Sequence, residues 1–426
     1  MRISLIVLAL LTATTARADD LLQVWAQARA ADPLLRQAAA LTGAQDASAR
    51  EARAALLPQW RLQSSELRET GGARWNATTS SISQTLFDLA ALREWDASRS
   101  LASAQGARLI AAEQSARERV AQAYFGLLSA EAQLATARAN EDAFDRQVRE
   151  AETRFQSGLS AQVEADQSRA YRELARTTTL AAEAQLADAR EALVQLTGAA
   201  VPAMQPLQPL RTTLAALTLP DDADAWSARA LQANPELQAL QLEVRASEQR
   251  VSSARSGHLP TLSLGVDTQR QRGGGVPLSD AGRTPTQVAL RLTVPLFAGG
   301  ATSAAADRAG FQREAAREQL EAGRRAVLRE VRARHLAVGQ GEAQLRATAA
   351  AVAAAQRALD ATRTGLTLGT RSTTDLLLAI QTLAGAQNAQ TQARHRHVLA
   401  LLALHLAAGS LGDTELATVN ALLETR

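Results

Sequence analysis

The sequence predicts a mainly α-helical chain with a smaller β part, built from two copies of one unit joined by a crossover. Three observations predict it. First, landmarks recur at a nearly constant offset: Asp32-Pro33 and Leu57-Pro58 return 202 residues later as Asn234-Pro235 and Leu259-Pro260, while Leu86-Phe87 returns as Leu296-Phe297 after 210 and Gly158 as Gly369 after 211. A fixed period of this kind marks a repeated structural unit. Second, long proline-free runs are dominated by Ala, Gln, Arg, Glu and Leu, with aromatics at only 3%, a composition of long helices more than of an ordinary globular core. Third, short segments of alternating apolar and polar residues sit at equivalent places in the two halves, the spacing of β-strands.

Taken in order, residues 1–18 read as an export signal. Arg2 gives the positive start, Ile3 to Leu11 the apolar run, and Ala16-Arg17-Ala18 the small-x-small site before Asp19. The apolar run is far short of the roughly 20 residues of a spanning helix, so a membrane crossing by this chain would be made of strands. The first repeat covers 19–198, with a β-hairpin at about 58–87 and long helices at 88–157 and 160–198. Leu34 to Leu56 is helical and stops at Pro58, whose ring pushes the preceding residue out of the helical region. In the hairpin, Trp60 and Leu62 alternate with Arg61 and Gln63, a Gly71-Gly72 turn follows, and Trp75 to Phe87 is rich in Thr and Ser. A run of about 70 residues then carries Val120, Ala123, Tyr124, Leu127, Leu128 and Leu134 at helical spacing, and at 1.5 Å per residue it would extend roughly 105 Å.

Residues 199–220 form the crossover, punctuated by Pro202, Pro206, Pro209 and Pro220. The second repeat covers 221–412, with a hairpin at about 260–297 and long helices at 299–368 and 372–408, and residues 413–426 add a short helix and tail. Here the strand pattern is clearest: Val288, Leu290, Leu292, Val294 and Leu296 alternate with Ala289, Arg291, Thr293 and Pro295. Leu262 to Asp267 alternates likewise, and Gln269 to Pro285, with Gly273-Gly274-Gly275, reads as a loop. Pro58, Phe87, Pro260 and Phe297 mark the strand-helix junctions; Phe87 and Phe297 are expected to pack there. Gly158 and Gly369 mark the helix bends.

Two hairpins give four strands, and a sheet edge cannot stay open in lipid. Two copies would give eight strands, whose side chains fill the interior, and three would give twelve and leave a lumen. The charge balance excludes other classes. All 46 basic residues are Arg against 43 acidic residues, for a formal charge of +3, and no basic stripe with interleaved aromatics suggests nucleic acid. There are no cysteines, hence no disulfides, no thiolate metal site and no acceptor for an N-terminal lipid. His395 and His397, two apart on a helix, point away from each other and cannot chelate one ion; the histidines are expected on helix surfaces. Gly273 to Gly275 lacks the Lys-Ser/Thr of a phosphate loop, no GxSxG or HExxH occurs, and no carboxylates are spaced as an acid/base pair. No enzyme and no cofactor is expected.

LLQVWAQARAADPLL (21–35), GHLPTLSL (257–264), VPLFAGG (294–300) and LGTRSTTDLL (368–377) together resemble the TolC family of Gram-negative outer-membrane factors, over essentially all of 19–423. The resemblance implies a homotrimer whose twelve-stranded membrane β-barrel continues into a long periplasmic α-helical barrel. It implies an outer-membrane exit for type I protein secretion or multidrug efflux, with a periplasmic adaptor, an inner-membrane ABC exporter or RND pump, and outer-membrane lipid as partners. The missing lipid-anchor cysteine and the LGTR stretch look more like the type I secretion branch. By position, the resemblance puts Arg371 and Glu164 in a polar lock at the periplasmic aperture and Asp375 in a carboxylate ring. It also departs from the family pattern, with Leu366 for a lock tyrosine, Val163 for a threonine and Leu378 for a second ring acid. The rival from another class is a soluble periplasmic coiled-coil adaptor, which has no reason to carry strands inserted twice.

Overall fold

A computed structural model describes residues 20–68, 70, 74–198, 207–211, 222–273 and 284–424. The expected export signal, the Gly71-Gly72 turn, the loop glycines after Gly273, and Pro202, Pro206 and Pro220 of the crossover lie outside these residues. In chain order the elements are α1 (Leu21–Ala31), α2 (Pro33–Ala54), β1 (Gln59–Arg68), β2 (Arg74–Phe87), α3 (Leu89–Gln156), α4 (Gln162–Thr197), α5 (Ala223–Ala233), α6 (Pro235–Arg255), β3 (Thr261–Gly273), β4 (Thr286–Thr293), α7 (Ala301–Thr367), α8 (Thr373–Ala407) and α9 (Asp413–Asn420). The order helix, helix, strand, strand, long helix, helix thus occurs twice before α9.

The recurring landmarks have a local chemical basis. Pro33 and Pro235 each open a helix, where the missing N–H costs nothing. Before them, Asp32 Oδ1 accepts the Leu34 N–H at 2.8 Å, and Asn234 Oδ1 accepts those of Glu236 and Leu237 at 3.0 and 3.2 Å. No described helix is long and apolar enough to cross a membrane.

The chain divides into two compact units. One comprises Arg36–Ala112 and Asn234–Ala326 and holds the only sheet among the described residues, antiparallel throughout in the order β1-β2-β3-β4. The registers Trp60 to Ile82, Ile82 to Val266 and Val266 to Val288 put these four side chains in one row on one face. Leu264 with Leu290, and Leu262 with Leu292, share that face. Its outer members face solvent: Trp60 is 76% exposed and Val288, Leu290 and Leu292 are 65–67% exposed. The opposite face carries Arg61, Ser81, Asp267 and Gln287 in one row, with Gln63, Thr79 and Gln269 in another. Helices of this unit are joined in the sequence α2, α3, α6, α7. Arg53 lies over Trp95, Ser100 Oγ donates to Gln249 Oε1 at 3.0 Å, and Arg317 pairs with Glu248 at 2.7 Å.

Three expectations change here. Gln269 to Gly273 is strand, not loop, because it pairs with Trp75 to Thr79; the run is polar on both faces and so lacked an apolar alternation to read. β4 ends at Thr293, short of the alternating Val294 and Leu296, since Pro295 has no N–H to give a ladder. Phe297, at 89% exposed, does not pack within the protomer as expected, whereas Phe87, at 44%, is about half covered at the β2–α3 junction.

The other unit comprises Met1–Leu35, Glu113–Ala233 and Val327–Arg426. Its largest core gathers Leu21, Trp25, Val120, Tyr124, Phe125, Leu193, Leu402 and Leu416. α1 and α9 are clamped together where the Leu21 N–H reaches Asn420 Oδ1 at 2.9 Å and Asn420 Nδ2 donates to Asp20 Oδ2 at 3.1 Å. His395 and His397 are buried, at 7% and 2% exposure, which corrects the surface placement expected for them. α8 is packed on two sides: His395 shares a hydrogen bond with Ser129 of α3, while His397 sits against Gly341 of α7, where a Cβ would come within 2.8 Å of its Nδ1. Burial, with the Arg394 charge adding to it, lowers the His395 pKa to about 4.

Candidate functional site

Val163, Glu164, Leu366, Arg371 and Asp375, which the sequence placed at an aperture, all lie beside the two hairpin bends of the second unit, at the end of α7 and the starts of α4 and α8. Both bends are built by one device. α3 ends with the Gly158 N–H bonded to Phe155 O at 2.9 Å and the Leu159 N–H to Arg154 O at 2.8 Å; α7 ends with the Gly369 N–H on Leu366 O at 3.1 Å and the Thr370 N–H on Gly365 O at 2.8 Å. These are Schellman caps, which need a left-handed residue, and φ is +73° at Gly158 and +71° at Gly369.

Past the bends the two copies diverge. α8 is closed by a reciprocal box: Ser372 Oγ accepts the Asp375 N–H at 3.1 Å and Asp375 Oδ2 accepts the Ser372 N–H at 3.0 Å. Those bonds, with a lesser contribution from the Arg371 charge, hold the Asp375 carboxyl below its ordinary pKa. α4 begins at Ala161, which offers no side-chain cap. Glu164, 211 residues before Asp375 and at the same third helical position, forms no such box with Ala161. It reaches across to α8 and accepts from Thr373 Oγ1 at 3.1 Å, and beside it Thr374 Oγ1 donates to Gln167 Oε1 at 3.0 Å. Thr373 is buried. Beneath lies an apolar base of Phe144, Ala175, Leu359, Leu376, Leu377 and Ile380, with Leu366 packed against it.

The Glu164–Arg371 pair expected from the sequence is not formed within the protomer: no ion pair joins them among the described residues. Arg371 is exposed, and its stem lies on Gly365, where a Cβ would come within 2.6 Å of Arg371 Cγ. That packing aims the guanidinium at solvent while Thr373 occupies the carboxylate. Val163 is 62% exposed and Leu378 56%; Leu159 and Leu368, one at each bend, are both 73% exposed. Sequence reasoning missed Thr373, Thr374, Gln167 and Gly365. The signal was present in part, since Ser372-x-x-Asp375 is a capping box and Ala161-x-x-Glu164 is one without its hydroxyl.

No group of three or more His, Asp or Glu that could hold a metal occurs among the described residues. These hydrogen bonds and the apolar base tie α4 to α8 beside the bends.

The profile described as outer membrane efflux protein matches residues 24–199 and 226–410. Outer membrane protein TolC of Escherichia coli (strain K12) is 30% identical over 421 residues, covering 95% of this chain and 85% of that protein. The alkaline protease secretion protein AprF of Pseudomonas aeruginosa is 29% identical over 345 residues, covering 81% of this chain and 72% of that one. Among solved structures, the Campylobacter jejuni CmeC outer membrane channel superposes with a TM-score of 0.81 at 18% identity, over 95% of this chain and 90% of that chain, a likeness of fold.

Proposed function

This chain belongs to the outer membrane efflux protein family and is an outer-membrane channel of an export system, and we propose that it works as a homotrimer giving passive exit to the substrates of an inner-membrane pump. The observation that carries the proposal is the sheet: one apolar face and one polar face, both uncovered, with β1 and β4 as open edges. An open edge is untenable in hydrocarbon, and strands of 8–14 residues bracket the 9–11 that cross a bilayer when tilted. Three copies close twelve strands with the apolar rows on lipid and the Arg61, Asp267 and Gln287 row on a water-filled lumen. The repeated order of elements supports descent from one duplicated unit.

At the other functional region, the α4–α8 links Glu164–Thr373 and Gln167–Thr374 hold the aperture closed. Asp375 and Arg371 line it, with Val163 and Leu378 as apolar members. The exposed Leu159 and Leu368 at the bends suit contact with a periplasmic adaptor, through which an ABC exporter or RND pump delivers cargo. The name of the relative AprF favours protein secretion as one such cargo route. Residues 1–18 direct export.

The test is fractionation followed by conductance. The protein should enter the outer-membrane fraction, run as a detergent-stable trimer, and conduct ions in planar bilayers. A monomer that stays in aqueous buffer without detergent would overturn the proposal and would restore the coiled-coil adaptor reading.

A further inference from the structure

At the helix end of the sheet, exposed apolar residues gather where β2, β3 and β4 meet their helices: Leu86 and Phe87 at the end of β2, Leu259 before β3, Val294, Leu296 and Phe297 after β4, with exposures from 41% to 93%. The pairing of Gln59 with Ser83 and of Thr261 with Thr293 puts these ends side by side. Opening beside this collar, between α6 and α7, is a cavity of about 420 Å³ lined by Glu248, Val251, Ser252, Arg255, Ser256, Leu259 and Arg313.

Its charge is unbalanced. Glu248 is already paired, with Arg317 at 2.7 Å. The Arg255 side chain makes no ion pair or hydrogen bond among the described residues, and Arg313 has only a 3.8 Å approach to its neighbour Glu314, leaving a buried Nε with no partner. Two guanidiniums sharing one cavity, one with an orphan N–H, call for an anion, and the planar fork of arginine matches phosphate. The first half of the chain shows what fills such a place otherwise. Arg53, 202 residues before Arg255, lies over the Trp95 ring at 5.9 Å; the residue 210 after Trp95 is Ala305, so the second half has no indole to cover its arginine.

We propose that this cavity binds the phosphate of an anionic phospholipid at the inner boundary of the membrane, with Arg255 and Arg313 on the phosphate, Ser252 as a further donor, and Val251 and Leu259 against the glycerol and first methylenes. This rests on the reading of the sheet as the membrane-crossing element. Continuity with the apolar collar commits the site to a lipid headgroup over free phosphate.

Native mass spectrometry of the full-length trimer tests it, after equilibration with vesicles of phosphatidylglycerol or of phosphatidylcholine, or with millimolar inorganic phosphate. Wild type should retain phosphatidylglycerol in preference to phosphatidylcholine. Arg255→Gln, at an exposed position that folding does not need, should weaken retention about tenfold, as losing one charged hydrogen bond does, and Arg313→Gln should weaken it further. Equal retention of both lipids, retention unchanged in Arg255→Gln, or displacement of the lipid by inorganic phosphate alone would each overturn the site. In all three cases a conducting trimer leaves the channel reading standing, whereas a water-soluble monomer removes both.

Discussion

Replacing Thr373 with Val removes one hydroxyl and almost nothing else. The side chain is buried and its Oγ1 donates to Glu164 Oε2 at 3.1 Å. A hydrogen bond to a charged group contributes about 1.5–3 kcal/mol. Glu164 is only partly buried, so water replaces part of what is lost and the lower figure applies. About 1.5 kcal/mol per protomer is roughly a tenfold shift toward the unlatched state, and three protomers unlatching together would compound it to about a thousandfold. Single-channel recording in planar bilayers reads this as open probability and mean conductance. Thr373→Val should open the channel, Thr373→Ser should behave like wild type, and Glu164→Ala should match Thr373→Val with no added effect in the double variant, since both delete one link. Wild-type conductance in both single variants of a folded trimer, or full additivity between them, would refute the latch.

On the sheet, Val288→Arg places a charge on the apolar face and should cost about 2–4 kcal/mol near the bilayer midplane, while Gln287→Arg on the opposite face should assemble normally; heat-modifiable trimer in outer-membrane fractions distinguishes them, and equal yields would refute the assignment of faces. For pH, His395 is held neutral by burial with its pKa lowered to about 4, below the unfolded value near 6.5. The unfolded chain therefore takes up the proton first on acidification. Stability should be full above pH 6.5 and fall by on the order of 3 kcal/mol as the pH drops to 4, seen as a lowered thermal transition by circular dichroism that is flatter with pH in His395→Leu.

What the sequence disclosed and what it hid divide along a physical line. Helices α3, α4, α7 and α8 were legible to within about two residues because glycine punctuates them locally: Gly158, Gly198, Gly369 and Gly409 follow their C-termini in the left-handed region. The extension of β3 through Gln269 to Gly273 was not, because this run is polar on both faces of the sheet and shows no hydrophobic period. Nor was the burial of His395 and His397, which depends on Ser129 and Gly341, residues hundreds or tens of positions away. The candidate site at the bends was half legible. Position after a bend singled out Glu164, yet its partner in the protomer is Thr373 on another helix, while the room at Gly365 takes the Arg371 stem, and no local spacing announces either contact.

The β1-to-β4 sheet has a consequence for how the protein reaches its destination. With greasy and wet faces both uncovered and two ladders unfinished, a lone newly exported chain holds an adhesive surface that water cannot satisfy. On the trimer proposed above, completion is a meeting of several chains, so its rate climbs steeply with their local abundance, and any escort in the aqueous compartment would have to shield Trp60, Val288 and Leu290 until siblings arrive. Scarcity, more than misfolding of the helices, would be the failure mode of biogenesis.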